Sequence, residues 1–154
     1  MTMTPIFVCS RYNGPIHECR MNLIEHDAMC RLAIALGYAP VSPFAGVDRD
    51  DPPDDAKGGR EEALARSGRL AEMVGRDGGA LMMMTHHRPS DGMVADFRAW
   101  SRSSAQHLCV SPGVHELLPY VPATYRRAVE MRAAGDPGWV REFEAARTGE
   151  EVQL

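Results

Sequence analysis

The feature that most constrains the fold is a short apolar run that leads through a polar loop into an amphipathic segment, at residues 80–100. Residues 80–84 are wholly apolar and follow two glycines, as expected of a strand that is covered on both faces. Residues 85–91 are polar and include Pro89, so the strand has ended there. Apolar side chains then recur at helical spacing, at Val94, Phe97 and Trp100.

This second half of the stretch predicts a helix over 91–103 whose N-terminus faces the end of the strand. Ser90 or Asp91 can cap it. The free N–H groups and the positive end of the dipole at such a terminus favour an anion. Asp96 lies in the second turn, so the sequence places a carboxylate near a position suited to phosphate.

The rest of the chain repeats the alternation of strand and helix. Apolar periodicity predicts strands at 5–9, 38–42, 80–84 and 107–110, and helices at 17–36, 60–74 and 91–103. This order predicts an α/β fold: a three-layer sandwich with a small, mainly parallel sheet, flavodoxin-like or Rossmann-like. Ligands bind such sheets outside the strand C-termini, where strand order reverses. The loops at 10–15 and 85–92 should flank that crevice.

We expect one domain over residues 1–154, since a chain of 154 residues can bury a single core. Its α/β part should span 1–118, with C-terminal helices within 119–154, at 123–134 and 138–146. Residues 44–59 are rich in Asp, Pro and Gly, which predicts a mobile acidic loop. That loop is either a solvated surface segment or a lid over the crevice.

Composition excludes several classes of function. The net charge of -4 argues against a nucleic-acid partner, and no apolar stretch is long enough to cross a membrane. The single lysine, Lys57, and the absence of a phosphate-loop motif disfavour lysine chemistry. The N-terminus does not resemble a signal peptide, so we expect a cytoplasmic protein.

Metal binding is not predicted, and no cofactor is expected. His26 and Cys30 share a helix face, but the four cysteines form no CxxC pair and no second ligand pair is evident. His86 and His87 would point in opposite directions if the chain were extended, so they should not hold one ion together. One of them can instead face the crevice as an acid for a leaving group.

Several motifs, taken in order, carry a family resemblance. The first half of the pattern is a strand followed by Ser10-Arg-Tyr-Asn-Gly-Pro-Ile16, then a helix that contains Asn22, then Gly37-Tyr-Ala-Pro-Val-Ser-Pro43. The second half is Asp77 before an apolar strand, followed by Ser90-Asp-Gly92 and by Asp96 four residues after Gly92. Over residues 5–112 this pattern resembles the nucleoside 2-deoxyribosyltransferase-like family, which includes nucleoside 5′-monophosphate N-glycosidases. The family usually has Glu at the position of Asp96, whose reach is shorter by about 1.5 Å.

The resemblance implies an enzyme that cleaves the N-glycosidic bond of a small-molecule nucleoside or nucleotide. Asp96 would be the carboxylate that attacks the anomeric carbon, through an oxocarbenium-like state. Asp77 would be a second catalytic carboxylate, although closing a Gly-rich turn is an alternative role. Substrate would be bound by residues of three loops: Ser10, Arg11, Tyr12, Asn13, Gly14, Phe44, Arg88, Ser90, Asp91, Gly92 and Met93.

Within that set, Ser90, Arg88 and Arg11 favour a 5′-monophosphate, and Tyr12 or Phe44 can stack on the base. The leading hypothesis is a hydrolase of (deoxy)nucleoside 5′-monophosphates or a base transferase that acts on them. A nucleotide-binding protein without catalysis, and an enzyme acting on NAD or a modified nucleotide, are the alternatives. Family members complete their sites with a neighbouring subunit, so the resemblance implies a homodimer or higher homo-oligomer.

Overall fold

The computed structural model describes residues 3–53 and 60–152, and within them the chain forms an α/β fold around a four-stranded parallel sheet. The strands are β1 (Thr4–Val8), β2 (Tyr38–Val41), β3 (Ala80–Met82) and β4 (Cys109–Val110), in the order β2-β1-β3-β4. Ile6 pairs with Pro40 on one side of β1 and with Ala80 on the other. Strand order therefore reverses between β1 and β3, as predicted.

The helices of the α/β part closely follow the sequence periodicity. They are α1 (Ile16–Ala35), α2 (Arg60–Arg76) and α3 (Asp91–Ser103). The predicted bounds of α3 are confirmed, since Ser90 caps it by accepting from the Met93 amide at 3.3 Å. Strand β1 has the predicted length but begins one residue earlier, and the other three strands are shorter than predicted. Met83 and Met84 lie beyond β3, although the Met83 amide still donates to the Val110 carbonyl at 3.0 Å.

The C-terminal part contains α4 (Val114–Leu117), α5 (Arg126–Ala133) and α6 (Trp139–Val152), with 3-10 turns at Leu118–Tyr120 and Ala123–Tyr125. Periodicity does not predict α4, because four residues are too few to show it. The late helices are confirmed within a few residues, and α6 runs beyond its expected end at 146.

Side chains that alternate along β1 enter two separate apolar clusters. Ile6 and Val8 pack in a cluster with residues of α1, α4, α5 and α6. Phe7 and Cys9 pack in another with residues of α2 and α3, including Trp100. The C-terminal helices are therefore part of the core, and the architecture is consistent with a sandwich of the Rossmann or flavodoxin type.

Part of the predicted acidic loop, at 54–59, lies outside the described residues. The part at 44–53 contacts α1: Arg49 makes an ion pair with Asp27 at 2.8 Å and donates to the Phe44 and Val47 carbonyls. Across the described residues, no helix combines the length and apolar character that crossing a bilayer would require.

Candidate active site

The loops after β1 and β3 leave the same edge of the sheet, side by side. β1 and β3 are parallel neighbours, and the pairing continues past their ends, where the Cys9 amide donates to the Met82 carbonyl at 2.9 Å. The carboxyl ends of adjacent parallel strands thus bring the loop at 10–15 next to the start of α3. This is the edge of the sheet at which the sequence predicts a ligand crevice.

Asp96 lies in the second turn of α3 and contacts α2. The Ser67 hydroxyl of α2 donates to Asp96 Oδ2 at 2.7 Å, while Oδ1 is buried and has no partner among the described residues. Only 6% of Asp96 is exposed. Burial raises the pKa of Asp96 to about 6, because the hydrogen bond from Ser67 offsets only part of the desolvation. The carboxyl group can therefore change protonation near neutral pH.

Cys9 lies close enough to Asp96 for the charge of that carboxyl group to affect its thiol, and its environment keeps it protonated. Its Sγ donates weakly to the Met93 carbonyl at 3.6 Å. Burial and the charge of Asp96 both raise the pKa of the Cys9 thiol far above its usual range. The protonated Cys9 thiol is therefore a poor nucleophile.

The predicted phosphate-binding residues around the start of α3 have different environments. Ser90 is half-buried and caps the helix, and Gly92 packs close to Leu64 of α2. Asp91 is exposed, and the Met93 side chain is buried in the core, so only its backbone can serve a ligand. Arg88 is exposed in the preceding loop.

The loop after β1 holds the second group of predicted ligand contacts. Ser10 is buried, with Oγ 2.7 Å from His26 Nδ1, and His26 Nε2 is 2.6 Å from Ser42 Oγ. Burial lowers the pKa of His26 to about 4, so its ring is neutral. Both ring nitrogens are engaged by serine hydroxyls, so neither is available to bind a metal ion together with Cys30. Arg11 follows, with Nε buried and unpartnered among the described residues. Asn13 is half-buried and Gly14 exposed.

The two aromatic residues expected to stack on a base lie against each other. The Tyr12 and Phe44 rings have centroids 5.4 Å apart, and the Tyr12 hydroxyl donates to the Pro53 carbonyl. Phe44 also meets the His26 ring edge-on at 4.8 Å. Tyr12 therefore joins the β1 loop to the part of the acidic loop at 44–53.

Asp77 does not share the environment of Asp96. Asp77 is exposed in the turn between α2 and β3, whereas Asp96 is buried between α3 and α2, where it binds Ser67. The turn is closed by two backbone hydrogen bonds, from the Gly78 amide to the Gly75 carbonyl and from the Gly79 amide to the Val74 carbonyl. Asp77 also borders an open cavity of about 460 Å³ beside Pro5 and α2. This position fits the alternative expectation for Asp77, a place in a Gly-rich turn.

A second polar cluster was not predicted. Glu25 of α1, which is fully buried, accepts from His87 Nε2 at 2.9 Å and from His86 Nε2 at 3.3 Å. Arg132 of α5 donates to the same carboxylate at 3.0 Å and to Asn22 Oδ1 at 2.6 Å. Burial alone would raise the pKa of Glu25, but the bonds from His86 and His87 and the charges of His87 and Arg132 lower it to about 2.

The orientation of the two histidines corrects the prediction that they point apart. That prediction assumed an extended chain, whereas residues 85–87 form a turn, and the His86 and His87 ring centroids are 4.3 Å apart. Both therefore face Glu25, and neither is aligned with Asp96 as an acid for a leaving group.

Ser67 is the residue beside Asp96 that sequence reasoning missed. A signal was present: Ser67 falls on the apolar stripe of α2, between Leu64 and Leu70, where a polar side chain needs a buried partner. Glu25 and Asn22 interrupt the buried face of α1 in the same way.

These features define a class: a parallel α/β protein with a buried, readily protonated carboxyl group between two helices on one face of its sheet. Comparisons of the chain with protein-family models, with curated proteins and with solved structures find no match. The resemblance to the deoxyribosyltransferase-like family therefore depends on the residues described above and nothing else.

Proposed function

We propose that the chain cleaves the N-glycosidic bond of a (deoxy)nucleoside 5′-monophosphate, with Asp96 as the nucleophile. The observation that carries the proposal is the environment of Asp96. Its carboxyl group is desolvated, oriented by Ser67 through one oxygen and unpartnered at the other, on the helix that begins at the sheet edge where α/β proteins bind ligands.

In the proposed reaction Oδ1 attacks C1′, the bond to the base breaks, and the base leaves with the bonding electrons. Water then hydrolyses the resulting ester and restores the carboxylate; a second base in place of water gives transfer. Positive charge that develops on the sugar ring is stabilised by the carboxylate. Ser67 fixes Oδ2 and so leaves Oδ1 as the attacking atom.

A 5′-monophosphate is favoured over a free nucleoside by the donors at this edge. Arg11 has a buried Nε without a partner among the described residues, and a guanidinium group suits phosphate. Ser90 and the first amides of α3 lie at the neighbouring strand end. Tyr12 and Phe44 offer aromatic surface for the base, on the side of the β1 loop.

Substrate must reach a carboxyl group that is 94% buried, given its 6% exposure in the ligand-free chain. The proposal therefore requires the side chain of Asp96, or the contact between α2 and α3, to shift on binding. The resemblance further implies that a second copy of the chain completes the site. Light scattering should accordingly give at least a dimer; a strict monomer that is fully active would contradict a shared site.

The direct test is a base-release screen. Purified protein is incubated with a panel of nucleosides, 5′-monophosphates and NAD, with and without an acceptor base, and free base is followed by chromatography. We expect release from one or more monophosphates, loss of at least about 1,000-fold in Asp96→Asn, and an unchanged rate in the exposed control Asp50→Asn. Release from NAD alone would redirect the proposal to that substrate.

A nucleotide-binding protein without catalysis is the second candidate. The burial of Asp96 favours it, because the site is closed in the absence of ligand and Asp reaches less far than the Glu of the family. A monophosphate that raises the melting temperature of the wild type while no base is released, at any pH between 5 and 8, would select this candidate.

A further inference from the structure

We propose that Glu25, His86 and His87 form a binding site for a divalent transition-metal ion such as Zn²⁺ or Co²⁺. The site is distinct from the Asp96 region, because α1 and α5 belong to one apolar cluster and α3 to the other. It does not depend on the glycosidase proposal.

The ligand atoms already lie close together. One nitrogen from each ring and a carboxylate oxygen are all within 4.8 Å of one another, and the two nitrogen-to-oxygen contacts measure 2.9 Å and 3.3 Å. Bonds of about 2.0–2.1 Å to a tetrahedral ion place its ligand atoms about 3.3 Å apart. Small movements of the two imidazole rings are therefore enough to replace the two N–H···O bonds with bonds to one ion.

The chemistry of the three ligands fits this class of ion. Two imidazoles and one carboxylate are a common set for zinc and for other first-row divalent ions with open coordination positions. Calcium and magnesium prefer oxygen ligands and are disfavoured here. The ion would take the place of the proton on Nε2 of each ring, leaving His86 and His87 as neutral imidazoles that carry their proton on Nδ1.

The cluster also has unfulfilled hydrogen-bonding capacity. The His86 and His87 side chains are 10% and 6% exposed, and Nδ1 of each is buried without a partner among the described residues. Because Nδ1 makes no bond to the described residues, each ring is held by hydrogen bonding only through Nε2, so no bond at Nδ1 opposes the small ring movement that coordination requires. The surroundings hold the carboxylate in place, since Arg132 binds Glu25 and is itself bound to Asn22.

The positive charge of Arg132 predicts the direction in which a substitution should change the affinity for the ion. Its guanidinium group lies 3.0 Å from Glu25 Oε2 and repels a cation at the site, so the ion should sit toward Oε1, on the His86 side. Arg132→Gln removes the positive charge and retains a donor to Glu25. This variant should therefore bind the ion more tightly than the wild type.

The experiment is a Co²⁺ titration of chelator-treated protein, followed by visible absorption, with Zn²⁺ competition measured by calorimetry. We expect one ion per chain. The double variant His86→Ala/His87→Ala, which leaves the Glu25–Arg132 pair intact, should bind at least about 100-fold more weakly, since loss of even an outer-shell partner costs about 10–100-fold. The matched control His107→Asn/His115→Ala changes two exposed histidines and should bind as the wild type does.

A measurement on the unmodified chain covers the case in which the double variant does not fold. Imidazole ¹H–¹⁵N correlation spectra recorded with Zn²⁺ should shift the Nε2 resonances of His86 and His87 and no others. Absence of stoichiometric binding in the wild type, equal binding by the double variant, weaker binding by Arg132→Gln, or shifts at other histidines would each overturn the proposal.

Discussion

The Asp96 carboxyl group links the stability of the chain to pH. Its pKa is about 6 in the folded chain, against 3.8 for the ordinary carboxyl group, so between these values the folded state binds more protons than the unfolded state. The favourable contribution of the protonated group is present below about pH 4 and is lost as pH rises to about 6. At about 1.4 kcal/mol for each pH unit, the whole effect is about 3 kcal/mol.

Asp96→Asn should remove this dependence. The free energy of unfolding of the variant, relative to that of the wild type, should rise by about 3 kcal/mol between pH 4 and pH 7. Urea denaturation of both proteins across that range measures the difference. A difference that stays constant with pH would show that Asp96 is not desolvated as described.

The same group sets the expected pH dependence of catalysis. An attacking carboxylate must be ionised, so kcat/KM should rise with pH and level off above about pH 6. Ser67→Ala removes the hydrogen bond that favours the charged form of Asp96, so the midpoint of the pH profile of this variant should move to higher pH. The rate of the variant above pH 8 should fall by a smaller factor than its rate near pH 6. Profiles of both proteins with the same midpoint would remove Ser67 from the site.

The structural role of a residue could be predicted from the sequence where that role depends on near neighbours along the chain. The Ser90 cap and the placement of Asp96 on α3 followed from spacing within a few residues. The partner of Asp96 could not be predicted in this way, because Ser67 is 29 residues away and on another helix.

At the scale of elements, two glycines of α2 distinguish the packed face of that helix from its open face. A side-chain carbon added at Gly75 would lie 2.7 Å from the Trp100 carbonyl oxygen of α3, whereas one added at Gly68 would meet nothing within 4 Å. Gly75 therefore allows α2 and α3 to approach, and this contact positions Ser67 against Asp96.

The two alanine variants should change stability in opposite directions. Gly68→Ala should raise the free energy of unfolding by up to about 1 kcal/mol, through helix propensity alone. Gly75→Ala should lower it by about 1–3 kcal/mol, because backbone atoms of α3 must move. Urea denaturation measures both; a stabilising Gly75→Ala would contradict the close packing of α2 on α3.

The order of the elements was predictable because helix and strand periodicities are local properties of the sequence. The bounds of α3 were predicted correctly since its cap and its apolar spacing agree. Element α4 and the shortness of β3 and β4 were not, because a few residues carry no periodic signal. The turn at 85–87 was also missed, and with it the direction of both histidines.

At the scale of the whole molecule, Glu25 joins three distant parts of the chain. Its carboxylate binds His86 and His87, more than 60 residues away, and Arg132, which is 107 residues away. The C-terminal helices are in this way tied to α1 and to the loop after β3. No pattern in the sequence indicates such pairing, since it is set by the tertiary fold.

Removing one partner of this buried group should destabilise the chain. Arg132→Met should lower the free energy of unfolding by about 3 kcal/mol, because the Glu25 charge loses its compensating cation. The matched control is Arg127→Met on the same helix, where a 77% exposed side chain lies 3.8 Å from Glu142; its effect should be within about 1 kcal/mol. Equal effects in urea denaturation would show that the Glu25 cluster does not stabilise the fold.

If Asp96 attacks the anomeric carbon of a bound nucleotide, the sugar becomes covalently attached to this side chain, and trapping that adduct is the decisive experiment. A 5′-monophosphate that releases base is mixed with the protein, quenched in acid within milliseconds to seconds, and examined by peptide mass spectrometry. We expect a sugar-phosphate adduct on the peptide that contains Asp96, and no such adduct in the Asp96→Asn variant. Base release at the full rate by Asp96→Asn, or an adduct on another residue, would contradict it.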